Sequence, residues 1–272
     1  MQFDLYQLDA FARAPLGGNP AAVVPLRAWL PDELLQAVAA ENHLAETAFL
    51  VPADGGAGEP EYHLRWFTPA VEVELCGHAT LAAAAVVFRY LAPGAARVRF
   101  RSAGGPLAVR QAGELLELDF PARPPRPSAH ASAVAAALGT VPREVLEADD
   151  LMAVLADEEE VRALAPDLPA VAALPGRGLI ATAPGGASGA DFVSRFFAPG
   201  VGVPEDPATG SAHCALIPYW AGRLGRTELH ALQLSARVGE LFCRLAADGE
   251  RVAIAGRVFP YLSGRIELPD PA

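Results

Sequence analysis

Apolar residues fall in short runs closed by glycine, proline and charged positions. Ala22–Pro25, Ala48–Val51, Arg97–Phe100, Leu115–Phe120, Leu179–Ala183, Leu241–Leu245 and Arg251–Ile254 read as short strands bounded by turn residues. Helical patterns cover Asp32–Ala40, His78–Tyr90, Ser128–Leu138, Glu158–Leu164 and Ser211–Leu224. Strands outnumber helices and the helices come singly, which predicts an α+β fold rather than an alternating doubly wound sheet. Pro121-Ala122-Arg123-Pro124-Pro125-Arg126-Pro127 predicts an extended linker near the middle of the chain. Proline at that density lacks the donors a ladder needs and stiffens the backbone.

One passage occurs twice. Arg65-Trp66-Phe67-Thr68-Pro69-Ala70-Val71-Glu72-Val73 is matched at constant offset by Arg195-Phe196-Phe197-Ala198-Pro199-Gly200-Val201-Gly202-Val203. Each leads into a glycine turn and an alanine-containing helix, at Cys76-Gly77-His78-Ala79-Thr80 and at Asp206-Pro207-Ala208-Thr209-Gly210-Ser211-Ala212. Two strand–turn–helix units can look alike by chance. The functional alternative is a duplicated domain, with two related lobes and a cleft.

Composition narrows the partners. The chain has 272 residues, 52% hydrophobic, enough for a sizeable core in one large or two ordinary domains. Its net charge of −11, with no basic run, sets it against a nucleic-acid backbone. All 21 basic residues are arginine. Without lysine the chain forms no internal Schiff base with pyridoxal phosphate and has no P-loop. Cys76, Cys214 and Cys243 are odd in number and widely spaced, with no CxxC, so neither a disulfide framework nor a zinc knuckle is expected. His78 and His213 lie far apart without HExxH spacing, so no metal is expected. The start lacks a signal-peptide pattern, and the apolar stretch near Ala79–Phe88 is far short of the ~20 residues a membrane span needs. A cytoplasmic protein without a membrane partner is the expectation.

The two glycine turns are the candidate binding elements. The first amides of a helix have no internal partner and, with the helix dipole, attract an anion. Small residues at Gly77, Ala79, Gly210 and Ala212 let a ligand approach the backbone. Asp206 and Ser211 fit either as helix caps or as substrate contacts, and His78 either as a polar cap or as a proton shuttle. Glu46 opens an apolar run. It reads as a solvated strand-end acid or, if partly buried, as a carboxyl with a raised pKa able to act as base and acid. Asn19 in Gly17-Gly18-Asn19-Pro20 fits turn chemistry, and Asp157-Glu158-Glu159-Glu160 a solvated helix start.

Gly18-Asn19-Pro20-Ala21-Ala22-Val23-Val24, Glu46-Thr47-Ala48-Phe49, Glu74-Leu75-Cys76-Gly77-His78-Ala79-Thr80 and Glu205-Asp206-Pro207-Ala208-Thr209-Gly210-Ser211-Ala212-His213 occur in this order. With Leu118-Asp119-Phe120-Pro121, Ser194-Arg195-Phe196-Phe197-Ala198-Pro199 and Gln233-Leu234-Ser235-Ala236-Arg237, the chain resembles the phenazine-biosynthesis PhzF-like family over nearly its whole length. The stretch Ser128–Gly176 carries nothing diagnostic. The resemblance implies the diaminopimelate-epimerase-like fold: two similar lobes related by pseudo-two-fold symmetry, each a curved mixed sheet or barrel around a central helix. It places lobes at 1–121 and 122–258, with the last strand, about 259–272, returning to the first. It implies a cofactor-independent isomerase and a homodimer acting on a small carboxylic acid. Carried over by position, Glu46 is the proton shuttle, with His78 and Asp206 as further catalytic residues. Asn19, Cys76, Gly77, Gly210, Ser211 and Ala212 are the substrate contacts. Related racemases use two cysteines. Cys76 stands where one would, but the second turn has none, since Cys214 falls inside the following helix. A racemase or epimerase using Cys76, and a non-catalytic carboxylate-binding protein, remain the alternatives. In many family members glycine stands where this chain has Val238.

Overall fold

The computed structural model, which describes residues 1–53 and 58–268, turns each predicted strand into a strand and lengthens most of them. Two compact units result: Met1–Asp119 with the segment from Ala255 onward, and Phe120–Ile254. In chain order the first contains β1 (Gln2–Ala10), β2 (Asn19–Pro25), α1 (Asp32–Asn42), β3 (Glu46–Pro52), β4 (Glu61–Phe67), β5 (Glu72–Val73), α2 (Gly77–Val86), β6 (Arg97–Ser102), β7 (Gly105–Ala112) and the start of β8 (Leu115–Pro121). The second continues with β9 (Arg126–Pro127), α3 (Ala131–Leu138), β10 (Glu144–Glu147), β11 (Leu151–Val154), α4 (Glu158–Ala163), α5 (Leu168–Ala172), β12 (Leu179–Pro184), β13 (Phe192–Ala198), β14 (Val203–Asp206), α6 (His213–Leu224), β15 (Glu228–Gln233), β16 (Gly239–Leu245) and most of β17 (Arg251–Gly256). The last strand, β18 (Val258–Glu267), pairs antiparallel with β1 in the first unit.

The order of pairing in one unit repeats in the other. In the first, β1–β2 is antiparallel, β2–β3 parallel, β3–β4 antiparallel, β4–β6 parallel and β6–β7 antiparallel. In the second, β10–β11, β11–β12, β12–β13, β13–β15 and β15–β16 follow the same alternation. Parallel neighbours need a crossover, and each is filled by helix. α1 corresponds to α4 with α5, and α2 corresponds to α6. The repeated passage forms β4 and β13, with the short strands β5 and β14 beside them.

The repeat extends to an ion pair. Arg65 forks onto Glu72 (2.7 and 2.7 Å) while its guanidinium lies 5.1 Å over Phe67. Arg195 forks onto Glu205 (2.7 and 3.0 Å) while lying 4.8 Å over Phe197. The acids stand 7 and 10 residues after their arginines, so the constant offset read from sequence ends at the turn after β13, where Pro199–Val201 adds a 3-10 turn.

Helices α2 and α6 set the candidate site. Along α2 every residue but Ala85 is buried, which its small side chains permit against β1, β2 and β3. Its α-geometry ends at Val86, short of the predicted Tyr90. Val87–Leu91 is a wider turn closed by Ala92 N–H donating to the Val87 carbonyl. Helix α6 starts at His213, two residues later than predicted. It contains Pro218, which cannot donate to the Cys214 carbonyl four residues back. The Arg123 amide donates to that carbonyl instead at 2.8 Å, so the interior proline leaves no orphan acceptor.

Two further expectations are corrected. The proline-rich segment does join a ladder, because Arg126 and Pro127 pair with Glu147 and Leu146 as a two-residue strand. The acidic run is not wholly solvated. Asp157 caps α4 by accepting from the Glu160 amide, but Glu158 is 2% exposed and accepts from Gly186 N, Ser188 N, Ser188 Oγ and Arg162. Burial alone would raise its pKa. The hydrogen bonds from Ser188, Gly186 and Arg162 outweigh burial and hold it at about 2.

A depressed carboxyl pKa gives stability that is present above the ordinary value of 4.5 and lost as pH falls toward 2. Glu158→Gln is expected to cost on the order of 3 kcal/mol at neutral pH. Denaturant midpoints should show the gap from wild type closing between pH 4.5 and 2; a gap independent of pH contradicts this. Gly18 has φ +61°, and a Cβ there would lie 2.3 Å from the Ala10 carbonyl oxygen. Gly18→Ala is therefore expected to destabilise by about 1–3 kcal/mol, read from the same midpoints, and an unchanged midpoint would refute the close approach.

Candidate active site

Glu46 is the first residue of β3 and His78 the second of α2, and their backbones bring the two side chains together. His78 Nε2 lies 3.1 Å from Glu46 Oε2, with side chains 4% and 15% exposed. The two atoms are not aligned as a hydrogen bond, and neither has another hydrogen-bond partner. Among the described residues Glu46 Oε1 accepts no hydrogen bond and, unlike Oε2, it is reached by solvent. One oxygen of the carboxylate is thus held against the imidazole while the other is open.

The far side of the ring is fixed by Asn19. Asn19 is completely buried at the start of β2, and its Nδ2 lies 3.0 Å from His78 Nδ1. The Asn19 amide group can donate to Nδ1 of the neutral ring or, turned over, accept from Nδ1–H of the charged ring, so in either state Nε2 carries a hydrogen facing Glu46. Gly18 supplies the left-handed turn, and Asn19 orients the histidine. Burial opposes a charge on His78, but Cys76 and the Glu46 carboxylate favour one, and the net direction is well above an ordinary histidine.

Cys76 is the N-terminal boundary residue of α2, with Sγ 3.5 Å from His78 Nδ1. Burial, with the Glu46 charge adding to it, pushes its thiol up to about 11, so it is a neutral thiol near pH 7. Glu46, Cys76 and His78 offer donor atoms within 4.8 Å of one another. Cys76 and Glu46 meet different nitrogens of the ring. Gly77 is buried beside them as the first residue of α2.

The remaining candidates belong to the second unit. Asp206 ends β14, and Ala212, the boundary residue of α6, makes no side-chain cap. Asp206 Oδ2 accepts from Thr209 Oγ1 at 2.5 Å. Gln233 clamps the same loop, accepting from Thr209 N (2.7 Å) and donating to the Asp206 carbonyl (2.6 Å) and Thr209 Oγ1 (3.0 Å). Ser235 Oγ donates to the Pro207 carbonyl at 2.8 Å. Gly239 packs where a Cβ would come within 2.6 Å of the Ala208 Cβ, and Val238 before it takes φ 52°, a strained value for a β-branched residue.

Gly210 and Ala212 are buried in a tight turn closed by His213 N–H donating to Gly210 O and Cys214 N–H to Ser211 O. Ser211 is not a cap either: its Oγ accepts from Arg177 Nη2 at 2.9 Å. His213 Nδ1 is 2.8 Å from the Thr209 carbonyl, and burial lowers its pKa to about 4, so it stays neutral. Sequence reading did not single out Arg177, Asp150 or Gln233, which bond to this loop or to each other. Asp150 sits in the stretch without motifs, and Gln233 was visible only as part of a family match.

Comparison with known proteins places the chain in a family. Residues 8–264 match the model of the family described as phenazine biosynthesis-like protein. A Pseudomonas aeruginosa protein described as an uncharacterized isomerase is 51% identical over 268 residues, covering 98% of this chain and all of its own. The crystal structure of a PhzF-family phenazine biosynthesis protein from Enterococcus faecalis superposes with a TM-score of 0.91 at 45% identity, covering 98% of this chain and 100% of that one. A hydroxyproline epimerase from Agrobacterium vitis shares the fold alone, at 12% identity and TM-score 0.61 over 99% of this chain and 94% of that one. The chain has the α+β, diaminopimelate-epimerase-like fold, no helix among its described residues is long and apolar enough to cross a membrane, and it belongs to the phenazine biosynthesis-like family as an isomerase.

Proposed function

We propose that this isomerase moves a proton on a small cyclic or amino carboxylic acid, of the dihydro-hydroxyanthranilate type, by glutamate general acid/base catalysis without a cofactor. The observation that carries the reading is the divided Glu46 carboxylate, with Oε2 against His78 Nε2 and Oε1 open. Glu46 takes a proton from a carbon made acidic by the adjacent conjugated system. Glu46, His78 or Asp206 returns it at another carbon, so net charge is conserved.

In the same reading the substrate carboxylate is taken by the amides near Gly210–Ala212 and by Ser211. Asn19, Cys76 and Gly77 line the reacting side. A cytoplasmic homodimer goes with this reading through the family resemblance. General acid/base transfer supplies roughly 10²–10⁴-fold, and positioning and electrostatics supply the rest. A thiol-dependent racemase is the weaker reading, because a thiol with a pKa near 11 is a poor base at neutral pH.

Glu46→Gln keeps the size of the side chain and removes the base. Turnover of a dihydro-hydroxyanthranilate should fall at least about a hundredfold, while ligand affinity changes only a few-fold. A variant turning over near the wild-type rate removes the mechanism. The pH profile gives a second check. A histidine whose pKa is raised stays charged through neutrality and loses its proton only at higher pH. The alkaline limb of kcat/KM is therefore expected well above 6.5, and a limb at or below 6.5 contradicts the Glu46–His78 coupling.

A further inference from the structure

We propose that Asp150 and Arg177 are positioning residues that act through Ser211, making its hydroxyl a dedicated hydrogen-bond donor to the substrate carboxylate. The inference rests on the role of Ser211 proposed above and adds the groups that set its hydrogen.

Arg177 sits in the turn Pro175-Gly176-Arg177-Gly178, between α5 and β12. Its backbone has little freedom. Gly176 takes φ +91°, and a Cβ on Gly178 would lie 2.5 Å from the Phe196 ring and 2.9 Å from the Phe197 carbonyl oxygen. The guanidinium is fixed at two places. Nε and Nη2 fork onto Asp150 Oδ1 and Oδ2 at 3.2 and 2.6 Å, and the group lies 5.2 Å from the Phe196 ring centroid. Asp150 is 4% exposed and Arg177 39% exposed. A carboxylate that buried is costly without a cation, so it holds the arginine in one place.

From that place Nη2 donates to Ser211 Oγ at 2.9 Å. Arginine has only donors and cannot take a hydrogen back. The serine hydroxyl carries one hydrogen, and among the described residues that hydrogen has no acceptor. Ser211 neither caps α6 nor bonds its own backbone through Oγ, so the ordinary structural uses of a serine at a helix start are absent. A cationic donor on the oxygen also polarises the O–H bond and strengthens what it gives. The ligand chemistry that matches is an anionic oxygen.

The test is a double-mutant cycle on binding, read by calorimetry. The probes are hydroxyanthranilate, an aromatic acid of the proposed substrate type, and aminophenol, the same ring without the carboxylate. Arg177→Met and Ser211→Ala are each expected to weaken hydroxyanthranilate about tenfold, the loss of one hydrogen bond to a charged group. The double variant should be no weaker than Ser211→Ala alone. Aminophenol binding should not change. If Arg177→Met fails to fold, Asp150→Asn with Arg177→Met leaves no buried charge stranded and carries the same expectations. Equal weakening of both probes, or full additivity with Ser211→Ala, makes Arg177 a structural staple and overturns the inference alone. A wild-type protein that binds neither probe overturns the functional reading and this inference with it.

Discussion

The approach of Glu46 to His78 is the constraint on which the proposed chemistry depends. Two ionisable groups meet at 3.1 Å in a largely buried setting without a well-aligned hydrogen bond. Such a contact is costly unless one group carries the charge the other needs. Asn19 holds the ring from the far side, and Gly18 makes the turn that delivers Asn19. The small residues of α2 then let that helix enter the sheet deeply enough for His78 to reach β3.

The two units share a scaffold and differ at their helix starts. Both units keep the same order of parallel and antiparallel pairings and the same arginine–glutamate fork beside an aromatic ring. The turn before α2 carries a thiol and an imidazole. The turn before α6 carries a hydroxyl held by an arginine, in a loop clamped by Gln233 and Ser235.

Much of this was legible in the sequence because it rests on local patterns. The strands followed from runs of apolar residues between turn residues, and the duplicated passage pointed to the duplicated topology. Glu46, His78 and Asn19 were named as candidates, but the residues alone gave Glu46 and Asn19 ordinary readings. Their partners lie far along the chain, as with Asn19 and His78 at a separation of 59 residues, and no local pattern encodes such a meeting. Glu158 failed for the same reason. A run of acids looks solvated until the loop at Gly186–Ser188, 28 to 30 residues away, folds over one of them. The late start of α6 and the widened turn after α2 were decided by hydrogen bonds rather than by residue spacing.

The central claim is that carbon-bound hydrogen on an organic acid passes through Glu46. Mass spectrometry of a dihydro-hydroxyanthranilate incubated in heavy water with the wild type and with Glu46→Gln tests it most directly. The account predicts deuterium at carbon with the wild type and none above background with the variant. Equal incorporation by both proteins would contradict it.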